Sequence, residues 1–209
     1  MFAELTSRHE DDADLDALVY HFATTLLGVS SAAAGGGLGP RNWALNAQVP
    51  SNYLREDLGT HVSELASTFH LEGHGVGMFT AATVQRRQSA SHNGVDVEAT
   101  VGLSHPTWAA SAEDETSRAV GTINIVAFLP ARLSESALIN AVATATEAKA
   151  QALFNSSISA TGTPSDALAI FCPVDGDAQD FCGPRSLWGA RLARAVHDSV
   201  LAGARAWSS

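Results

Sequence analysis

The chain has almost no lysine. Of its 12 basic residues, 11 are arginine and one is Lys149. On a solvated surface the two side chains serve equally well. The arginine bias therefore reads as a compositional habit, and the remaining lysine as a place where a guanidinium does not serve. Positive charge is itself scarce: 22 acidic residues against 12 basic give a formal net charge of −10, which excludes a protein that grips nucleic acid by charge. Cys172 and Cys182 are the only cysteines, too few for a disulfide framework and without zinc-ligand spacing. No apolar run approaches the roughly 20 residues of a membrane span. The acidic start MFAELTSRHEDDADLD lacks the basic opening of a secretory signal. No HExxH or comparable pair occurs among the 8 histidines, so no protein-bound metal is expected. These absences lead to the expectation of a cytoplasmic protein with two unbridged thiols and neither membrane nor nucleic acid as partner.

What is present is globular. Hydrophobic residues make up 45% and charged residues 16% of 209, a length that suits one domain with a sizeable core. Residues 1–14 read as an acidic flexible tail and residues 15–209 as a single domain. Leu18, Tyr20 and Phe22 alternate with Val19 and His21, so the apolar stretch from Leu15 to Ser31 reads as a strand or hairpin. Gly35-Gly36-Gly37-Leu38-Gly39-Pro40 is expected to break regular structure.

Leu58, Val62, Leu65, Ala66 and Phe69 predict a helix over about Arg55–His70. Val76–Ala81 and Val95–Leu103 read as strands, with Asn93-Gly94 as a turn between them. A loop at Ser104–Val120 carries His105-Pro106-Thr107-Trp108 and an acidic run at Glu113, Asp114 and Glu115. Gly121–Leu129 is a strong strand. Ser134 or Ser136 caps a long helix to about Phe154. A short strand at Leu168–Phe171 and a last helix from near Pro184 to about Ala206 complete the chain. The expected class is α+β: mostly antiparallel sheet packed in layers against a few long helices.

The long helix is the most informative element. At about 100° per residue, Leu138, Val142, Ala145, Lys149 and Ala152 share one stripe. Asn140, Thr144, Glu147 and Gln151 share the opposite one. Lys149 thus stands on the apolar face, and Glu147 is not its helical partner. A lysine there either holds a charged role in a pocket or lays its stem along the core with the ammonium reaching outward.

Other stretches carry chemistry. Ala160-Thr161-Gly162-Thr163-Pro164-Ser165-Asp166 gathers hydroxyls, a glycine and a carboxylate. It can present a nucleophile, a base and backbone oxyanion donors, or simply cap itself as a turn. His105, beside Trp108 in a loop, is an acid/base candidate. Asn42, Trp43, Asn46 and Gln48 form an amide-rich stretch suited to a ligand that itself carries amides. Arg185 adds a cation at the start of the last helix.

GGGLGPRNWALNAQVP at 35–50, ATVGLSHPTWAA at 99–110, GTINIVAFLP at 121–130, LINAVATATEAKAQAL at 138–153, TGTPSDALAI at 161–170 and GPRSLWGARLARAVH at 183–197 together resemble the adenosylcobinamide amidohydrolases of corrinoid salvage. The resemblance implies hydrolysis of the amide between the aminopropanol arm and the corrin ring, giving adenosylcobyric acid. It implies no cofactor, cobalt entering only within the corrinoid substrate. Lys149, Asp166, Thr163, Glu147 and His105 are then the catalytic candidates, and Asn42, Trp43, Asn46, Asn124 and Arg185 the substrate-binding ones. Two schemes remain open. In one, Thr163 or Ser165 attacks, with Lys149 or His105 as base and backbone N–H groups near Gly162 as the oxyanion site. In the other, Asp166 or Glu147 activates water while Lys149 stabilises the oxyanion. A corrinoid carrier without catalysis and an amidase for another substrate are the alternatives. A homo-oligomer is compatible with the apolar surface of the last helix.

Overall fold

A computed structural model describes residues 1–111 and 121–207. The acidic run at Glu113, Asp114 and Glu115 lies outside the described residues. The described residues form eight strands and three α-helices: β1 (Glu4–Glu10), β2 (Ala13–Ser30), β3 (Gly37–Gln48), α1 (Leu58–Thr68), β4 (Gly75–Thr80), β5 (Gln88–His92), β6 (Val95–Gly102), β7 (Thr122–Phe128), α2 (Glu135–Asn155), β8 (Ala167–Pro173) and α3 (Leu187–Trp207). The strands form one mixed sheet in the order β4-β3-β2-β8-β7-β6-β5, with β1 added to β2 off that path. Pairing is antiparallel except for β3 with β4 and β7 with β8. Each parallel pair is joined by a crossover helix, α1 or α2, because a parallel connection must carry the chain back the length of the sheet. The α+β class holds.

The long β2 organises the sheet. Its first half pairs with β1, its second half with β8, and its register against β3 shifts between His21 and Leu26. A bulge of this kind bends a strand and raises its twist. One face of the sheet gathers Leu18, Tyr20, Ala44, Val76, Met78, Val126, Phe128, Ala169 and Phe171 into a core closed by Ala32 and Val84 from the connections rather than by a long helix. On the other face, α1 sets Val62, Leu65 and Ala66 against Ala17, Val19, Trp43 and Leu45. There α2 and α3 cover β5 to β8 in the largest core. The last helix spends its apolar surface on this core, burying Leu192, Ala195, Val196 and Val200. Cys172 and Cys182 are free and buried. Burial pushes the Cys182 thiol up to about 12, so neither acts as a ready nucleophile at neutral pH.

Three expectations are corrected. Residues 4–10 are no flexible tail. They pair along β2 from Glu4↔Val19 to Glu10↔Ala13, and Arg8 is buried, donating to Gln48 O at 2.7 Å. The polar alternation of this segment is that of a strand at a sheet margin. The glycine-rich run does not break structure either: β3 starts inside it, with Gly37 and Gly39 at positive φ paired to Ser30 and Gly28. A further strand, β5, precedes the Asn93-Gly94 turn, its polar sequence QSASH held on β6 and beside α3. The helices fall close to their expected spans, and Ser134 Oγ caps α2 by accepting from Ala137 N at 3.2 Å.

Glu10 also brings a carboxylate to His61, which is buried on α1 and stacked with Tyr53 and Phe79. Burial lowers the His61 pKa from its ordinary 6.5, outweighing the upward pull of Glu10. The unfolded chain then takes up this proton at a higher pH than the folded one. His61 therefore costs no stability above about pH 6.5, and stability is lost as pH falls below that value toward the folded pKa. Urea unfolding of the wild type is expected to show a lower midpoint at about pH 5 than at about pH 7.5. In His61→Gln the drop is smaller. An equal drop in both proteins overturns the assignment.

Candidate active site

The α2 crossover returns from the end of β7 to the start of β8. It thereby carries Lys149, in the last third of α2, over the N-terminal ends of both strands. Asp166 immediately precedes β8. The Lys149 ammonium donates to Asp166 Oδ2 in an ion pair whose side chains are only 12% and 13% exposed. Helical periodicity thus placed the lysine correctly, and the turn before β8 supplies the charge it needs.

Asp166 is saturated with donors. Besides the ammonium, it accepts from Ile123 N at 2.8 Å, from Thr163 N at 3.1 Å and from the Thr163 hydroxyl. Four donors match the roughly four lone-pair positions of an ionised carboxylate. Thr163 Oγ1 also lies 2.6 Å from Gly121 O, so its one proton is shared between two acceptors. Gly162 makes this closeness possible. A Cβ there would stand 2.4 Å from Asp166 Oδ2 and 2.6 Å from Lys149 Nζ. The turn is tied to the loop after β6 by Thr107 N donating to Gly162 O at 2.8 Å and Thr161 N donating to Thr107 O at 3.1 Å.

A cleft of about 740 Å³ opens on Lys149 and Thr163. Ala143, Thr146, Glu147 and Ala150 form its α2 wall, Thr107 and Trp108 face them, and Gly162 and Thr163 lie along its edge with Lys149. The sequence candidates therefore divide. Lys149, Asp166 and Thr163 meet in one hydrogen-bonded group, and Glu147 is exposed on the cleft wall. The His105 side chain is exposed, and it is the residues after it, Thr107 and Trp108, that form the wall.

The proposed binding residues lie elsewhere. Trp43 is buried over Gly75, its Nε1 donating to Gly73 O at 3.2 Å. Asn42 ties Thr25 Oγ1 to His74 N. Asn46 and Asn124 are buried in the sheet. Asn124 Nδ2 donates to Asn46 Oδ1 at 2.8 Å and to Phe79 O at 2.9 Å, and Asn46 Nδ2 donates to Thr100 Oγ1 at 3.0 Å. Arg185 is exposed in a turn whose Cys182 N donates to Asn140 Oδ1. Asn140 is nine residues before Lys149, about 13 Å along the helix axis. Sequence reasoning singled out Gly162 for nearby oxyanion donors but missed the close approach of Asp166 and Lys149 over it and the role of Gly121 O, which only the folded proximity of β7 and β8 reveals.

The sequence model of the adenosylcobinamide amidohydrolase family matches residues 2–209. The chain belongs to this family. An adenosylcobinamide amidohydrolase of Methanosarcina mazei is 28% identical over 177 residues, 80% of this chain and 85% of the relative. One of Halobacterium salinarum is 29% identical over 167 residues, covering 76% and 72%. The crystal structure of the PH0078 protein from Pyrococcus horikoshii OT3 aligns with 93% of this chain and 77% of that one, at 13% identity and a TM-score of 0.46.

The group that this family member builds around Asp166 is testable as a physical unit. Lys149→Met and Asp166→Asn each leave the other partner without its counter-charge in a mostly buried place, and each is expected to cost about 3 kcal/mol in denaturant unfolding. The double variant is expected to cost clearly less than the sum. Strict additivity overturns the coupling.

Proposed function

We propose that the protein hydrolyses the amide between the corrin ring and the aminopropanol arm of adenosylcobinamide, releasing adenosylcobyric acid and aminopropanol. The observation that carries this reading is the Thr163–Asp166–Lys149 group at the edge of a cleft, in a chain of the amidohydrolase family. The cleft is open enough to admit one side of a large disc-shaped substrate and its arm. Trp108 offers such a disc an exposed aromatic face.

The saturated state of Asp166 favours the hydroxyl scheme over direct activation of water, because its lone pairs are already engaged by four donors. With Asp166, rather than Lys149 or His105, as the base of that scheme, Thr163 Oγ1 attacks the amide carbonyl carbon and its proton passes to Asp166 Oδ1. Lys149, held on Oδ2, faces the developing oxyanion. The C–N bond then breaks, the nitrogen takes up the proton from Asp166, and aminopropanol leaves. Water attacks the resulting ester, gives one proton back to Thr163 Oγ1, and releases the ring carboxylic acid. Glu147, exposed on the cleft wall, would orient that water. The protein supplies no cofactor in this scheme, and cobalt belongs to the substrate.

Incubation with adenosylcobinamide followed by mass spectrometry and electrophoresis is expected to show a newly anionic corrinoid and free aminopropanol. Thr163→Ala is expected to lower turnover by about a thousandfold or more, with Thr163→Ser retaining a measurable fraction. Co-elution of red corrinoid without product would make the protein a carrier instead. Amine release from simple amides but none from the corrinoid would make it an amidase for another substrate.

A further inference from the structure

On the other side of the Thr163–Asp166 turn lies a second, smaller cavity. It holds about 290 Å³ and is walled by Val49, Pro50, Tyr53, Leu58 and Phe79, with Thr122 and Ser165 on the side of the turn. Thr163 thus faces the larger cleft while Ser165, two residues on, faces this pocket. Ligand sites run from about 300 to about 1,000 Å³, so this one suits a single flat ring system rather than a macrocycle.

The hydroxyls of Tyr53 and Thr122 point to one kind of ligand. His61 Nε2 lies 2.7 Å from Glu10 Oε1, off the line of a well-formed hydrogen bond. A lone pair facing a carboxylate is repelled, so the neutral imidazole carries its proton on Nε2. Nδ1 is then an acceptor, and Tyr53 Oη, 2.7 Å away, must give its proton to it. The phenol oxygen is left with lone pairs for the pocket. Ser165 Oγ donates to Gly121 O at 2.9 Å, so Thr122 donates to Ser165 Oγ across 2.7 Å and likewise keeps only lone pairs. Thr122 is 3% exposed. One step along β7 on the same face, the buried Asn124 Oδ1 has no partner among the described residues, although both amide hydrogens of this side chain are engaged. Arg55 also borders the slot, but its guanidinium is engaged by Asp57 and Glu64, so the open lone pairs of Tyr53 and Thr122 call for a flat aromatic ligand that brings N–H and O–H donors.

We propose that this pocket binds a purine nucleoside, the adenosyl group carried by the corrinoid. The amino group and sugar hydroxyls supply the missing donors, and Tyr53 and Phe79 supply the apolar contact for the ring. The assignment to the corrinoid's own adenosyl group rests on the proposed function, whereas the nucleoside specificity does not.

Two measurements test it. Calorimetry with the intact protein is expected to show saturable binding of 5′-deoxyadenosine. It should also show adenosine binding about tenfold tighter than purine riboside, which lacks the amino group. Ala33 lines the pocket from an exposed loop position, so Ala33→Trp fills it without touching the core. This variant is expected to abolish nucleoside binding. It should also lower kcat/KM for adenosylcobinamide about tenfold or more while leaving that for cyanocobinamide unchanged. No nucleoside binding up to about 10 mM overturns the pocket, and so does equal affinity for adenosine and purine riboside. If Ala33→Trp affects both corrinoids alike, the link to the adenosyl group is overturned. If neither corrinoid is hydrolysed by the wild type, the proposed function falls and calorimetry still decides the nucleoside site.

Discussion

The ion pair of Lys149 and Asp166 over Gly162 is the constraint on which the site depends. A mostly buried ammonium and carboxylate are tolerated only when each finds its counter-charge and its remaining hydrogen bonds. Here the backbone of β7 and of the turn completes that requirement, through Ile123 N and Thr163 N on Asp166. The same hydrogen bonds fix where β8 begins, how α2 lies over it, and where the Thr163 hydroxyl stands. A change at the pair is therefore felt by the fold and by the cleft together.

The two β-α-β crossovers explain why the site lies at this end of the sheet. Each crossover returns the chain to the start of a parallel strand, and the α2 crossover sets the turn 161–166 there. Because side chains alternate across a strand, residues entering β7 and β8 are sent to opposite faces: Ile123 and Asp166 toward α2, Thr122 and Ser165 toward the inner core. A single turn thereby borders two cavities, an open cleft beside α2 that carries Lys149 and Glu147 and a small apolar pocket bounded by β4 and the chain before α1.

Much of this was legible in the sequence because it is periodic. The apolar stripes of the three helices are strong local signals, and they alone turned Lys149 inward. The turn at 160–166 stood out by its hydroxyls. What stayed hidden was polar and long-range. Strands β1 and β5 carry polar sequences because they lie toward the margins of the sheet, and polarity there resembles loop or tail. Asn46 and Asn124 attracted attention as amides for a ligand, yet they hydrogen-bond each other across 78 positions of sequence. Periodicity cannot show such a pairing. Nor could spacing reveal that Glu10, His61 and Tyr53 form one chain of contacts, since Glu10 belongs to a segment that reads as a tail.

The scarcity of lysine now has a physical explanation at one position. Around Nζ of Lys149 the space is small. Asp166 Oδ2 is its acceptor, and even a methyl group on Gly162 would fall within 2.6 Å of it. A guanidinium is a flat fork that pairs best with both oxygens of a carboxylate at once. Oδ1 of Asp166 is already committed to Ile123 N and the Thr163 hydroxyl, so a fork could engage it only by displacing Thr163. A compact point charge on a slender stem satisfies one oxygen and leaves the other to the hydroxyl. In a chain that uses arginine for every other permanent side-chain cation, the chemistry of this site is what requires the exception.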